Sequence, residues 1–232
     1  MRLEAISQPS VSRRIVPPAL AIVASFVIAA LLAQIAGGNP FAVFGLIFKG
    51  ALGSKFALLE TLNRATPLIF TGLAVAVAFR AKLWNIGAEA QLYAGAVITV
   101  VLGTGALAWP APVLLPTLAI GAALAGAIVL LIPAMLKTRF GVDEVVTTLL
   151  FNFIFLLFVS YLLEGPLKDP MGMGWPKSAR LIPEARLPRI VEGLRLHWGF
   201  ALALICAVAV WVIDRKTTLG FEMRAVGQNP EA

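Results

Sequence analysis

Long apolar runs separated by short basic clusters restrict the folds that this chain can form. Residues 15–36 contain no charged side chain, and further largely apolar runs lie at residues 65–79, 86–102, 113–136, 145–163 and 198–213. A helix of about 20 apolar residues is long enough to cross the hydrocarbon core of a bilayer. The sequence therefore predicts an all-α, polytopic membrane helix bundle with about six transmembrane helices.

The run at residues 41–59 is weaker than the others. Lys49, Lys55 and two glycines interrupt it, so we expect an interfacial or re-entrant helix there rather than a full span. The next run, residues 65–79, opens with Thr66-Pro67, which suits a helix start. It is only about 15 residues long, and it approaches the length of a span if it extends back through residues 58–62.

Basic residues lie at the ends of the apolar runs and do not form one stripe. The clusters at residues 13–14, 80–82, 137–139 and 215–216 all fall on one face of the membrane if successive spans alternate in direction. The positive-inside rule then predicts a cytoplasmic tail at residues 1–14, a transmembrane domain at 15–216 and a cytoplasmic segment at 217–232. The proline-rich residues 164–197 become an extracytoplasmic loop with a short surface helix.

Several function classes lack support in this sequence. The net charge of +7 is explained by membrane orientation, so no nucleic-acid partner is expected. The chain has no P-loop motif for ATP and no zinc-protease motif. With one cysteine, Cys206, and one histidine, His197, we expect no metal site and no cofactor. A membrane enzyme would need a catalytic constellation that the sequence does not offer.

Polar side chains interrupt the apolar pattern most clearly at residues 81–91. Asn85, Glu89 and Gln91 lie here between two apolar runs. A charged side chain at the bilayer centre costs about 2.5–3.5 kcal/mol on insertion scales, so such residues usually have a partner or a function. We hypothesise that Asn85, Glu89, Gln91 and Asn152 line or gate a path for a polar solute at interrupted helices. The alternative is that they cap and pack a broken helix.

Asp143 and Glu144 form a second polar feature, directly before the run at 145–163. Adjacent residues point to different faces of a helix, so the pair is poorly arranged for joint acid–base chemistry. They suit the N-terminal cap and first turn of the following helix, where the helix dipole favours negative charge. A hinge or gating role is the alternative.

Three stretches together resemble the permease subunits of bacterial ABC importers, in the nucleoside and simple-sugar branch of the branched-chain amino-acid and ribose-type superfamily. The first runs from Thr66 into Trp84-Asn-Ile-Gly-Ala-Glu-Ala-Gln91. The second is Gly141-Val-Asp-Glu-Val-Val-Thr-Thr-Leu-Leu-Phe-Asn152, followed by Gly165-Pro-Leu-Lys-Asp-Pro170. The third is Thr218-Leu-Gly-Phe-Glu-Met-Arg-Ala-Val-Gly-Gln-Asn-Pro-Glu-Ala232, and it is the most specific.

The chain departs from the pattern of this family at a few positions. Ala90 replaces a second glycine, Lys82 stands where glycine is common, and Asp143 stands where asparagine is frequent. These changes keep the polar side chains of the motifs. Family members continue beyond the third motif with further spans, so the resemblance predicts that this chain is C-terminally truncated.

The resemblance also implies a function and partners. Such a permease lies in the bacterial inner membrane, pairs with a second permease subunit and two cytoplasmic ABC ATPase subunits, and receives its solute from an extracytoplasmic binding protein. The third stretch corresponds to the helix that rests on the ATPase, and it contributes Gly220, Phe221, Glu222, Arg224, Gly227 and Asn229. Nucleosides are the favoured solutes and simple sugars the alternative. A transporter or channel that works without an ATPase is the competing hypothesis.

Overall fold

Helices account for the regular structure of this protein in a computed structural model that describes residues 11–228. No β-strand occurs within that range, so the all-α prediction is confirmed. The helices are α1 (Val11–Ile35), α2 (Pro40–Leu52), α3 (Lys55–Arg80), α4 (Ala88–Gly103), α5 (Ala111–Phe140), α6 (Glu144–Glu164), α7 (Gly199–Lys216) and α8 (Thr218–Gln228), with one 3₁₀ turn at Pro183–Ala185.

Four helices are long and apolar enough to cross a membrane: α1 over Ile15–Ile35, α3, α5 and α6. The apolar α4 has 16 residues, about 24 Å of helix, and is short for a bilayer core of about 30 Å. Helix α7 has 18 residues and ends in Asp214, Arg215 and Lys216. The structure thus has four candidate spans where the sequence predicts about six, and the other two predicted runs correspond to α4 and α7.

The exposed surface of these helices is apolar. Large aliphatic and aromatic side chains, such as Leu68 on α3, Ile120 on α5 and Leu157 on α6, are more than half exposed. Soluble monomers rarely expose contiguous apolar surfaces of this extent, whereas lipid tails solvate them. The exposed surface therefore fits a membrane protein.

The chain divides into two compact units, and the first extends to Thr61. In that unit Phe26 of α1 packs edge-to-face on Phe44 of α2, with ring centroids 5.6 Å apart. Asn39 caps α2 by accepting from the backbone N–H groups of Phe41 and Ala42.

The helix expected at residues 41–59 is instead two helices. Helix α2 ends at Leu52, and α3 begins at Lys55. The side chain of Ser54 accepts a hydrogen bond from the N–H of Ala57 at 3.0 Å, which is the capping contact of a new helix. The expected helix start at Thr66-Pro67 is also wrong, because α3 runs through Pro67. The extension back through residues 58–62 is confirmed.

The second unit, from Leu62 onward, is built on the contact between α4 and α5. Small side chains let the two backbones approach closely: a Cβ added at Gly95 would lie 3.3 Å from the carbonyl oxygen of Ala122. Ala90, Ala94 and Val129 form the buried cluster at this contact. The aromatic rings of Phe151 and Phe155 on α6 pack against the same cluster.

The long loop between α6 and α7 folds back on the ends of α4 and α5. Ala185 in its 3₁₀ turn is buried against Leu114 and Leu118 of α5. The N–H of Ile182 donates to the carbonyl of Gly103 at 2.9 Å, at the end of α4. Backbone bridges pair Lys168 with Ser178 and Arg189 with His197. Backbone hydrogen bonds therefore hold the loop in a defined conformation. It contains a 3₁₀ turn where the sequence predicted a short helix.

Candidate functional site

A break in the helical chain separates α3 from α4. Residues 81–87, here called the break segment, are not helical. Lys82 adopts φ +52°, a left-handed conformation that favours glycine and costs other residues of order 1–3 kcal/mol. Backbone groups in such a segment lack helical partners, and inside a membrane they must find others.

One face of α6 supplies these partners. Glu144, Thr148 and Asn152 are spaced four residues apart, so they lie in a row along the helix. The N–H of Trp84 donates to Glu144 Oε1 at 3.3 Å, and the N–H of Ile86 donates to Thr148 Oγ1 at 3.2 Å. We call Glu144, Thr148 and Asn152 the α6 row.

Asn152 completes the α6 row with two hydrogen bonds. Its Nδ2 donates to the carbonyl of Ile86 at 2.9 Å. Its Oδ1 accepts from the N–H of Ala90 at 3.0 Å, in the first turn of α4. One amide thus satisfies a carbonyl before the start of α4 and an N–H after it, which fixes the helix start against α6.

Asn85 organises the break segment from within. The residue is 1% exposed, and its Oδ1 accepts from the N–H of Gly87 at 2.9 Å and from Gln91 Nε2 at 3.1 Å. Its Nδ2 is buried and has no hydrogen-bond partner among the described residues. A buried, unpaired donor costs about 1–3 kcal/mol, so this amide is a costly feature of the conformation shown.

The close approach of the break segment to α6 requires a glycine at position 87. A Cβ added to Gly87 would lie 3.1 Å from both the Cβ and the carbonyl oxygen of Thr148. That spacing is tighter than ordinary van der Waals contact, and a helix backbone has little freedom to move away.

A charged pair, Lys137 and Glu144, links the end of α5 to the start of α6 beside the break segment. Lys137, in the last turn of α5, contacts the carboxylate of Glu144 and donates from Nζ to the carbonyl of Lys82 at 3.2 Å. Glu144 is only 7% exposed. Asp143 caps α6, with its Oδ1 accepting from the N–H of Val145 at 2.8 Å. The ends of α5, the break segment and α6 are thereby linked.

Gln91 and Glu89 point to different surroundings. Gln91 lines a cavity of about 560 Å³ together with Phe70, Thr99 and Leu202. A second cavity of about 480 Å³ shares Thr99 and Leu202 and extends to His197 in the loop between α6 and α7. Glu89 lies exposed in the first turn of α4. The sequence analysis missed Thr99, which lines both cavities, and considered His197 only as a metal ligand without partners.

Helix α8 lies across the ends of α3 and α7. A Cβ at Gly220 would lie 2.6 Å from the carbonyl oxygen of Asp214 in α7, and a Cβ at Gly227 would overlap the carbonyl oxygen of Arg80 in α3. Arg224 Nη1 is 3.1 Å from Asp214 Oδ1. Close backbone contacts at two glycines, together with one ion pair, therefore hold α8 against α3 and α7; we call this contact the seat of α8.

The opposite face of α8 is open. Phe221 is 66% exposed, and Glu222 is exposed beside it. The predicted contribution of Asn229 lies outside the described residues. Arg80 directly precedes the break segment. The contact between Gly227 and Arg80 therefore lies beside the segment that the α6 row binds.

A comparison with known families decides the class of protein. Residues 57–232 match the family described as branched-chain amino acid transport system permease components. The chain belongs to this permease family. The match includes the break segment, the α6 row and α8, so the features of the candidate site lie within the family region. No solved structure matches the chain.

Curated relatives of this permease include proteins named for different solutes. It is 38% identical to the guanosine ABC transporter permease NupP of Bacillus subtilis, over 93% of this chain and 62% of the relative. It is 37% identical to the glucose ABC transporter permease TsgB13 of Haloferax volcanii, over 93% and 59%. It is 31% identical to the nucleoside ABC transporter permease NupB of Lactococcus lactis, over 95% and 63%. The chain thus spans about three fifths of each of these relatives.

Proposed function

We propose that this chain belongs to the membrane permease of an ABC importer for nucleosides, in which separate subunits hydrolyse ATP. The observation that carries the proposal is the seat of α8. A short helix is fixed to α3 and α7 by Gly220 and Gly227, while its outer face presents Phe221 and Glu222. A helix held on one side and open on the other is suited to receive a partner and to pass its movement to the membrane helices.

The proposed partners follow from this architecture and from the family. An ABC ATPase subunit docks on the open face of α8, a second permease subunit completes the pathway, and a solute-binding protein delivers the solute on the opposite side. The lipid bilayer surrounds the apolar helices.

The proposed orientation places α8 in the cytoplasm. Arg80 and Asp214 form an ion pair at 3.4 Å, and Lys137 reaches Lys82, so the basic ends of α3, α5 and α7 lie near one another. A shared basic end is the pattern of a cytoplasmic face. The loop between α6 and α7 is then extracytoplasmic, and the N-terminus, with Arg13 and Arg14, is cytoplasmic.

Within the pathway, we assign different roles to the predicted residues. Gln91 and Thr99 line the cavities and contact the solute, whereas Asn85 and Asn152 position the break segment. Glu89, exposed at the start of α4, faces the adjoining part of the assembly. An amide and a hydroxyl offer hydrogen bonds to an uncharged, hydroxyl-rich solute without the cost of a buried charge.

Nucleosides are favoured over simple sugars because two of the named relatives, NupP and NupB, carry guanosine or nucleoside in their names. The glucose permease TsgB13 supports sugar as the second candidate. Phe70 in the cavity of Gln91 provides an aromatic face on which a base can stack.

The test is uptake by proteoliposomes that contain the permease with its ATPase and binding protein. We expect ATP-dependent uptake of labelled guanosine that unlabelled guanosine inhibits and glucose does not. Inhibition by glucose alone would assign the permease to sugars. Uptake that persists without ATP and ATPase would instead support a transporter that works alone.

A further inference from the structure

An apolar groove lies beside α8, and nothing in the importer scheme uses it. The groove has a volume of about 400 Å³ and lies between α3, α7 and α8. Its walls come from Leu73 and Val77 of α3, Val210 of α7, and Met223 of α8. Arg80, Asp214 and Arg215 form its rim, and we call it the Asp214 groove.

The rim of the Asp214 groove carries excess positive charge. The carboxylate of Asp214 has three arginines within 4 Å: Arg80 at 3.4 Å, Arg215 at 3.8 Å and Arg224 at 3.1 Å. Three positive charges against one negative charge leave a net charge of +2 at this point. The side chains of Arg80 and Arg215 are 50% and 64% exposed, so they are accessible to a further anion.

The two parts of the groove together define its occupant. Leu73, Val77 and Val210 are apolar residues within about two turns of the charged ends of α3 and α7, which is where the tails of a lipid would begin if those charged ends lie at its headgroup. A soluble acidic peptide would satisfy the arginines and leave these walls uncovered. An apolar helix would cover the walls and desolvate Arg80 and Arg215, which share the single carboxylate of Asp214 with Arg224, and burying that excess charge is unfavourable.

We propose that the Asp214 groove binds an anionic phospholipid of the membrane leaflet at which α8 lies. The phosphate lies between Arg80 and Arg215, and one acyl chain follows Leu73, Val77 and Val210 into the bilayer. Basic pockets between membrane helices bind anionic headgroups in this way. Because Met223 of α8 also forms a wall of the groove, the lipid is in contact with α3, α7 and α8 at once and stabilises α8 in its seat.

The test measures lipid retention by the purified full chain, with no ATPase present. The protein is exchanged into equal amounts of phosphatidylglycerol and phosphatidylcholine, and the retained lipid is counted by native mass spectrometry. We expect preferential retention of phosphatidylglycerol. Arg215→Gln should lower that preference about tenfold or more, the change that corresponds to the loss of one hydrogen bond to a charged group.

Lys216→Gln is the matched control. It removes one positive charge from the same end of α7, but its side chain does not line the groove, so the preference should stay unchanged. Equal losses in Arg215→Gln and Lys216→Gln would overturn the proposal, because they would indicate attraction to the general surface charge. Equal retention of both lipids by the wild-type chain would also overturn it.

A second pair of measurements tests the acyl chain. Ala76 lines the groove and is exposed, so Ala76→Phe should fill the cavity and reduce bound phosphatidylglycerol without changing any charge. In the unaltered chain, phosphatidylglycerol with brominated acyl chains should quench Trp211, which also lines the groove. The quenching that is lost in Trp211→Phe is the part that comes from Trp211. Unchanged retention in Ala76→Phe, or quenching that is the same in Trp211→Phe, would overturn the proposal. Neither result depends on whether an ATPase binds α8.

Discussion

The side-chain amide of Asn152 donates to the carbonyl of Ile86 at 2.9 Å, across the break between α3 and α4. The same side chain accepts from the N–H of Ala90 on the far side of the break. A single residue of α6 therefore replaces two backbone bonds that a continuous helix would make for itself. This contact explains how a chain of apolar helices tolerates a non-helical segment beside the cavity that Gln91 lines.

Replacement of Asn152 should destabilise the break segment. Asn152→Leu leaves the N–H of the buried Ala90 without a partner, which costs about 1–3 kcal/mol, and it also removes the partner of the more exposed Ile86 carbonyl. We expect a lower thermal unfolding temperature in detergent and a loss of transport. Ser160→Ala, on the same helix, removes a hydroxyl that bonds only to Leu156 within α6. That control should behave like the wild type; a similar unfolding temperature for both variants would contradict the assigned role of Asn152.

A methyl group at position 87 should separate the break segment from α6. Gly87→Ala places a Cβ 3.1 Å from Thr148, and the resulting strain should cost about 1–3 kcal/mol. Gly72→Ala is the matched control, since a Cβ at Gly72 in α3 meets no atom within 4 Å. It should be neutral or stabilise α3 by about 0.5–1 kcal/mol. The unfolding temperatures of the two variants measure the difference, and equal values would show that the close approach is unimportant.

The contact between Lys137 and Glu144 should be strongly coupled. Lys137→Met leaves the carboxylate of Glu144 without its cation; because Lys137 itself is 36% exposed, we expect a loss of about 1.5–3 kcal/mol, as for one hydrogen bond to a charged group. The double variant Lys137→Met with Glu144→Gln removes both charges and should be more stable than Lys137→Met alone. A double-mutant cycle of unfolding free energies gives the coupling. Additive effects of the two changes would show that the pair does not hold the end of α5 to α6.

Substitutions at the seat of α8 should separate ATP hydrolysis from transport. A methyl group at Gly220 would overlap the end of α7, and one at Gly227 would overlap the carbonyl of Arg80. We expect each alanine variant to enter the membrane normally and to lose solute uptake while the associated ATPase still turns over. Ala225→Ser, a small change on the same helix, serves as the control. Normal uptake in both glycine variants would show that α8 does not couple ATP hydrolysis to transport.

The sequence predicts the membrane architecture well because the apolar runs are long and their ends are marked by charge. The runs at residues 113–136 and 145–163 correspond to α5 and α6 within a few residues. Residues 41–59 were assigned to one helix because the interruptions at Lys49, Lys55 and the glycines were interpreted as weak points of a single helix, and the cap at Ser54 was overlooked. Hydropathy is averaged over a window of residues, so the apolar residues on both sides of such a break outweigh a single capping residue.

The candidate site could be located from the sequence but not assembled from it. Asn85, Gln91 and Asn152 are conspicuous because they are polar residues in apolar surroundings. The backbone contacts of Thr148 and the close approach at Gly87 depend on tertiary distances that no local pattern reveals. Residues 215–216 were interpreted only as a basic cluster at the end of a span, although Asp214 directly before them is a signal for an ion-pair network.

The most direct test of the proposed function is co-purification of an ABC ATPase with the solubilised protein from its native membrane. We predict that mass spectrometry finds a P-loop ATPase with the wild-type chain, and that Glu222→Lys, on the open face of α8, abolishes its recovery. Glu164→Lys, at the opposite end of α6 from the α6 row's Glu144, should retain it. If the wild-type chain is recovered without an ATPase, or if Glu222→Lys retains the ATPase fully, docking on α8 is contradicted.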